Sequence, residues 1–260
     1  MNDAPLHIQI GVLARRSVLR TLRQPAQIVP ALAFPLFLLL VNSGGLSKAT
    51  HLPGFPTDSY LTFALAVPFM QGALFCVMNA GTDLARDIET GFLNRLALTP
   101  LSGVALLMGM LAGALAVGLL QAIVFLLVGL AAGAHFAAGI GGVLVIVALA
   151  LLLGLGFGSL GIFVALRTGS AEAVQSMFPV FFVFLFLSSM NLPRNLIQTG
   201  WFREVATYNP VSYLIEAIRS LLIKGWDAQA LAMGFGVAAA VIVVGLTASS
   251  LALRTRLVRT

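Results

Sequence analysis

From Leu96 to Leu166 the chain runs for 71 residues without one Lys, Arg, Asp or Glu. A membrane-spanning helix needs about 20 apolar residues, so this stretch is too long for one span and sufficient for two with a turn between them. The turn falls where glycines crowd around His135, within Gly133–Gly142. Residues 59–82 form another run free of charge. Only 9% of all residues are charged and 59% are hydrophobic, with a mean hydropathy of +1.01. Soluble chains carry about 25% charged residues, which excludes a soluble domain.

Extended along the chain, the same reading gives an all-α membrane protein forming one unit over residues 1–260. Six transmembrane helices are expected at 26–46, 60–82, 102–132, 142–166, 173–193 and 229–253. Pro30 and Pro35 lie inside the first and predict a bent helix. Gly109-x-x-x-Gly113 and Gly154-x-x-x-Gly158, in the third and fourth, have the spacing that lets helix backbones approach, although Gly is common in membrane helices anyway. In the fifth, the phenylalanine stripe Phe178–Phe186 reads as lipid-facing or packed filler before it reads as a substrate wall. Six spans put both termini on one side. That side collects Arg15, Arg16, Arg20, Arg23, Arg86, Arg95, Arg167, Arg254, Arg256 and Arg259, against Lys48, Arg194, Arg203, Arg219 and Lys224 on the other. Ten against five sets the termini in the cytoplasm.

The net charge of +6 does not point to nucleic acid, because the cations sit between apolar runs rather than on one face. Cys76 is the single cysteine and excludes an internal disulfide; His7, His51 and His135 are scattered without metal-ligand spacing. No cleavable signal peptide is expected. Residues 7–24 form an amphipathic helix, with Arg16, Arg20 and Arg23 on one side and Ile8, Val12, Leu19 and Leu22 on another. Such a helix lies in the headgroup plane with its arginines on anionic lipid.

Between the second and third spans lies a polar segment, residues 83–100, with five charges: Asp83, Arg86, Asp87, Glu89 and Arg95. Leu84 and Ile88 share a helical face, Gly91 offers a stop, and Thr99-Pro100 restarts the chain. Its core, D-I-E-T-G-F-L-N-R-L-A-L-T-P, resembles the first cytoplasmic segment of the type-2 export permeases of ATP-binding-cassette transporters, among them drug, polysaccharide and lipid exporters. The family pattern is roughly (Asp or Glu)-Arg-Glu-x-Gly-Thr-Leu-Glu-x-Leu-x-x-Thr-Pro. Asp87, Glu89, Gly91, Leu93, Leu96, Thr99 and Pro100 match it, whereas Ile88, Phe92 and Asn94 depart from it. The resemblance implies that this is the coupling helix, docking on a separate ATPase subunit, with Arg86, Asp87, Glu89, Gly91, Leu93, Arg95, Thr99 and Pro100 as the coupling residues. Asp87 and Glu89 point ~200° apart on a helix. Glu89 is therefore assigned the ATPase contact, and Asp87 is left to solvent or to Arg86.

Residues 194–228 mix charges with Trp201, Tyr208, Tyr213 and Trp226, the aromatic belt of a bilayer surface. Val211–Ile223 is helical in character but too short and too charged to span. Glu216 and Arg219, three apart, could pair on one face. N-P-V-S-Y-L-I-E-A-I-R looks like the same family's motif before the last span, which implies short re-entrant helices near the substrate exit, involving Asn209, Pro210, Tyr213, Glu216 and Arg219. Asn209 reads as an N-cap and Pro210 as the first helical residue.

No G-x-x-x-x-G-K-(S or T) occurs, so the chain is not expected to be an enzyme on its own or to bind a cofactor. The resemblance implies a permease subunit in the cell membrane, a bacterial inner membrane, moving an amphiphilic drug, lipid or lipid-linked glycan. Its partners would be two copies of an ABC ATPase that hold ATP and Mg2+, a second identical or homologous permease, and membrane lipids. Two alternatives stand beside it. An ion-coupled carrier would place ionisable groups inside its spans; a membrane assembly protein has no need of the two motifs.

Overall fold

The computed structural model describes residues 5–97 and 101–257. In chain order its α-helices are α1 (Leu6–Leu22), α2 (Pro25–Gly45), α3 (Tyr60–Ala64), α4 (Ala66–Glu89), α5 (Phe92–Ala97), α6 (Gly103–Ala131), α7 (Gly139–Thr168), α8 (Ala171–Gln175), α9 (Met177–Phe186), α10 (Gly200–Tyr208), α11 (Pro210–Ile223) and α12 (Ala228–Leu257). Every regular element among the described residues is helical. Among the described residues, five stretches are long and apolar enough to cross a membrane: Pro25–Gly45, Tyr60–Glu89, Gly103–Ala131, Gly139–Thr168 and Ala228–Arg256. The protein is therefore an all-α membrane protein.

Burial separates these helices sharply. In the most apolar window of Tyr60–Glu89, 83% of residues are buried, against 17% in those of α2 and α12. α4 is thus the central post, and α2 and α12 turn most of their surface outward. α4 packs most extensively on α7, which also carries α12. That closeness needs glycine: a Cβ at Gly161 of α7 would collide with the Val77 carbonyl of α4, and one at Gly81 would meet the Gly161 carbonyl at 2.8 Å. Gly109 and Gly113 of α6 seat α1, facing Leu13, Ser17 and Thr21.

α2 runs without interruption through Pro30 and Pro35. Because Pro35 has no N–H, the Ala31 carbonyl one turn earlier loses its helical donor. Gln121 of α6, itself buried, supplies a donor from its side-chain amide at 3.0 Å. In hydrocarbon, where water cannot substitute, such rescue is required. Nothing in the sequence alone singles out Gln121.

The packing has two distinct ends. At one, Gly169 lies against Arg256 and Ile88, Arg256 donates to the Leu166 carbonyl at 2.8 Å, and the Ser102 N–H donates to Gln9 at 3.0 Å. At the other, the α6–α7 turn sits on α11, through N–H bonds from Ala137 and Ala138 to the carbonyls of Leu222 and Leu221 at 3.1 and 3.0 Å. The Tyr60 hydroxyl there donates to the Asn191 carbonyl at 2.9 Å.

Two expected boundaries move. The helix that was to end at residue 82 continues to Glu89, so the first half of the polar segment is the last two turns of α4 rather than a separate helix. Hydropathy marks where the chain meets water, and a helix need not stop there. The expected fifth span, 173–193, is instead a shorter apolar helical stretch, Ala171–Phe186, broken at Ser176. Pro179 cannot donate to the Gln175 carbonyl, which favours the break. At 1.5 Å per residue the stretch covers about 24 Å, short of the ~30 Å hydrocarbon core. Beyond it, tight turns lead through Ser188 and Ser189 to Pro193.

Of the phenylalanine stripe, Phe184 and Phe186 are exposed. Phe178 and Phe182 stack with centroids 5.3 Å apart, and Phe34 and Phe75 extend the cluster to α2 and α4.

Candidate functional site

Asp83 and Asp87 stand one turn apart on α4, and Arg16 and Arg20 one turn apart on α1. The seat on Gly109 and Gly113 holds α1 alongside, so the two pairs meet. Arg16 grips both oxygens of Asp87, Nη1 to Oδ2 and Nη2 to Oδ1, each at 3.2 Å. Arg20 donates to the same Oδ1 and approaches Asp83 Oδ1 at 3.6 Å. The Thr21 hydroxyl, buried, donates to Asp83 Oδ2 at 3.3 Å. Charge-assisted, bidentate arginine pairs are the strong end of such interactions, and this cluster fixes the angle between α1 and α4.

Gly91, at φ +70°, ends α4 in the left-handed conformation that glycine tolerates best. α5 follows at once and is tied down from two sides. Leu93 is 1% exposed, and the Arg16 guanidinium lies over the Phe92 ring, 3.7 Å from its centre. Glu89, Asn94 and Arg95 remain exposed around this joint. Arg95 donates to the Thr90 carbonyl at 3.4 Å, and Arg86 to Gln24 Oε1 at 3.4 Å. Thr99 and Pro100 lie outside the described residues.

Two expectations are corrected here. Asp87 faces neither solvent nor Arg86: it is held by Arg16 and Arg20. Those two arginines accordingly meet α4 carboxylates instead of lipid, while Arg23 stays exposed. The apolar stripe of α1 does turn outward, with Ile8, Val12, Leu19 and Leu22 all exposed. A helical wheel groups residues correctly but does not show what faces them. The matching signal was available in Asp83, whose spacing to Asp87 repeats that of Arg16 to Arg20.

At the opposite end, the Asn209 side chain accepts the Val211 N–H at 2.9 Å and donates to the Phe184 carbonyl at 2.6 Å, with Pro210 opening α11. Tyr213 donates to the Thr207 carbonyl at 2.8 Å. Glu216 and Arg219 do not pair. Glu216 accepts from Arg194 and from the Ser189 hydroxyl. Arg219, 6% exposed, donates to the carbonyls of Phe63, Ser189 and Met190, each at 3.1 Å, and stacks on the Phe63 ring at 3.5 Å. The turns after α9 leave the Ser189 and Met190 carbonyls outside any helix, and a guanidinium is the side chain whose fork reaches several at once.

The polar joint thus stands at one end of a bundle of span-length helices. Residues 8–223 match the ABC-2 type transporter family, and the chain belongs to it. It is 28% identical over 214 residues to a putative transport permease of Porphyra purpurea, covering 81% of this chain and 72% of that protein. It is likewise 28% identical to a daunorubicin resistance ABC transporter permease protein of Streptomyces coeruleorubidus, over 76% of this chain and 69% of the relative. A probable doxorubicin resistance ABC transporter permease protein of Mycobacterium tuberculosis is 25% identical, over 86% and 80%.

Proposed function

We propose that this chain is the permease subunit of an ATP-driven exporter. It moves an amphiphilic drug, lipid or lipid-linked glycan out of the cytoplasm, using ATP and Mg2+ held by two copies of a separate ATPase. A second permease, identical or homologous, faces it across the pathway. The end bearing Arg16, Arg20 and Asp87 is cytoplasmic, with both termini on that side. The remaining one of six crossings is made by Ala171–Phe186 together with the turns that follow it to Pro193, and α10 and α11 are re-entrant helices on the outer side.

The observation that carries this reading is the joint at Gly91. The longest-buried helix of the bundle leads directly into α5, which is anchored by Leu93 and Arg16 and leaves Glu89, Asn94 and Arg95 free for a partner. A push on α5 would reach α4 without passing through a flexible loop. Charge-free interiors of α6 and α7 suit an amphiphile better than a small ion, and the drug-resistance relatives agree with that class of cargo.

Two experiments test it. Vesicle transport by the reconstituted permease and ATPase should require ATP and survive collapse of the proton gradient; transport by the permease alone, driven by a pH step, would favour a carrier. Reporters fused after Lys48 and after Arg203 should lie outside, and one after Arg259 inside. An outside C-terminus would overturn the orientation.

A further inference from the structure

A cavity of about 590 Å³ opens at the end opposite the joint, between the 54–56 loop, the 193–195 loop, α11 and the start of α12. That is within the usual range for small-ligand sites. Three of its side chains are cationic, Arg194, Arg219 and Lys224, and two are acidic, Glu216 and Asp227.

The acids are already engaged. Both Glu216 oxygens are taken, by Ser189 and Arg194, and Asp227 Oδ1 accepts the Ala230 N–H at 3.0 Å. The donors are in surplus. Arg219 has five N–H groups and spends one each on three carbonyls, which leaves two. Lys224 is exposed, and no carboxylate among the described residues forms an ion pair with it. With three cations against two carboxylates, one of which is held by Arg194, the cavity keeps a surplus of positive charge and N–H donors that suits an acceptor-rich anion. Its depth follows from Trp226, 63% exposed and two residues from Lys224, an aromatic side chain of the kind that marks the level of the headgroups.

We propose that this cavity binds the phosphate of an anionic phospholipid headgroup, seated between Arg219 and Lys224. The site rests on the chain's place in a membrane and not on export, so it stands or falls separately from the transport reading. A lipid held here would brace α11 against the 54–56 loop on the outer side.

The test uses the purified, delipidated full chain and native mass spectrometry with phosphatidylglycerol and phosphatidylcholine. Wild-type protein should retain phosphatidylglycerol in preference. Lys224→Gln, at an exposed position that leaves the fold intact, should lower that retention about fivefold, the value of one cation at a lipid surface. Arg203→Gln, which removes a charge at the same end but outside the cavity, should leave retention unchanged. Millimolar inorganic phosphate should compete only weakly, since it lacks the acyl anchor. Equal retention of the two lipids, equal effects of the two variants, or free phosphate binding more tightly than the lipid would each overturn the proposal.

Discussion

Arginines hold the two ends of this bundle together, but by different means. At the joint, Arg16 and Arg20 share the Asp87 carboxylate, and the Arg16 side chain is 40% exposed. At the opposite end, Arg219 is almost fully enclosed and bonded to three backbone carbonyls. An ion pair at a wet surface is screened by salt and can be remade in a new geometry. A guanidinium bonded to three carbonyls has no such freedom, because leaving breaks all three bonds at once. One end is held by contacts that salt can weaken, the other by contacts that it cannot.

The most severe way to break that contrast is Arg219→Leu. Three carbonyls lose their donors together, and at about 1–3 kcal/mol for each buried group left unsatisfied the loss is roughly 3 kcal/mol or more. The thermal midpoint of the detergent-solubilised protein should fall steeply. Arg219→Lys, which keeps the charge without the fork, should recover only part. A midpoint close to wild type in Arg219→Leu would mean that the cage is incidental.

Asp87→Asn should cost less, about 1 kcal/mol, because the pairs it weakens are partly solvated. Its signature is in the salt dependence. Raising ionic strength from 0.1 to 1 M shortens the Debye length from about 10 to about 3 Å. Amide exchange along α1 should therefore accelerate with salt in the wild type, and in the variant should already be faster and respond to salt less, with only the Arg20–Asp83 pair left to screen. Exchange around Arg219 should ignore salt in both. If α1 showed the same salt response with and without the Asp87 charge, the two ends would not differ in the way described.

How much of this could be read beforehand depends on the range of the interaction. The all-helical membrane class, the turn after α6 and the Asn209 cap follow from hydropathy and from neighbours in sequence, and all were legible. So was the stop at Gly91, since a glycine is the ordinary end of a helix. What faces Arg16 was legible only in part: the spacing of Asp83 to Asp87 matches that of Arg16 to Arg20, but nothing local says that pairs 71 residues apart will meet. Pairing Glu216 with Arg219 was a reasonable inference from spacing that failed for a definite reason. Sequence displays charged side chains but not carbonyls, and of the three carbonyls that claim Arg219 two lie where the chain leaves α9 and the third on α3, all far from it in sequence. Gln121 was missed differently. Pro35 announces a freed carbonyl at Ala31, yet nothing local says which buried amide will answer it.

The smallest effect on stability belongs to Glu89→Ala, and it is the most informative about function. Glu89 is exposed, with no ion pair among the described residues, so its loss should change stability by no more than about 0.5 kcal/mol. On the proposed reading it meets the ATPase, so substrate-stimulated ATP hydrolysis should fall while membrane insertion and assembly remain normal. Left to solvent or to Arg86, as the sequence suggests, Asp87 would make Asp87→Ala the milder change. The structure reverses that order for the fold, since Asp87 is where α1 is fastened. Asp87→Ala should therefore loosen α1 and lower hydrolysis together, whereas Glu89→Ala should lower hydrolysis alone. The assay is ATP hydrolysis by the reconstituted complex, read beside α1 amide exchange in the same preparation. If Glu89→Ala assembles and hydrolyses ATP at the full stimulated rate, the partner surface lies elsewhere on the joint and the coupling role passes to Asn94 or Arg95.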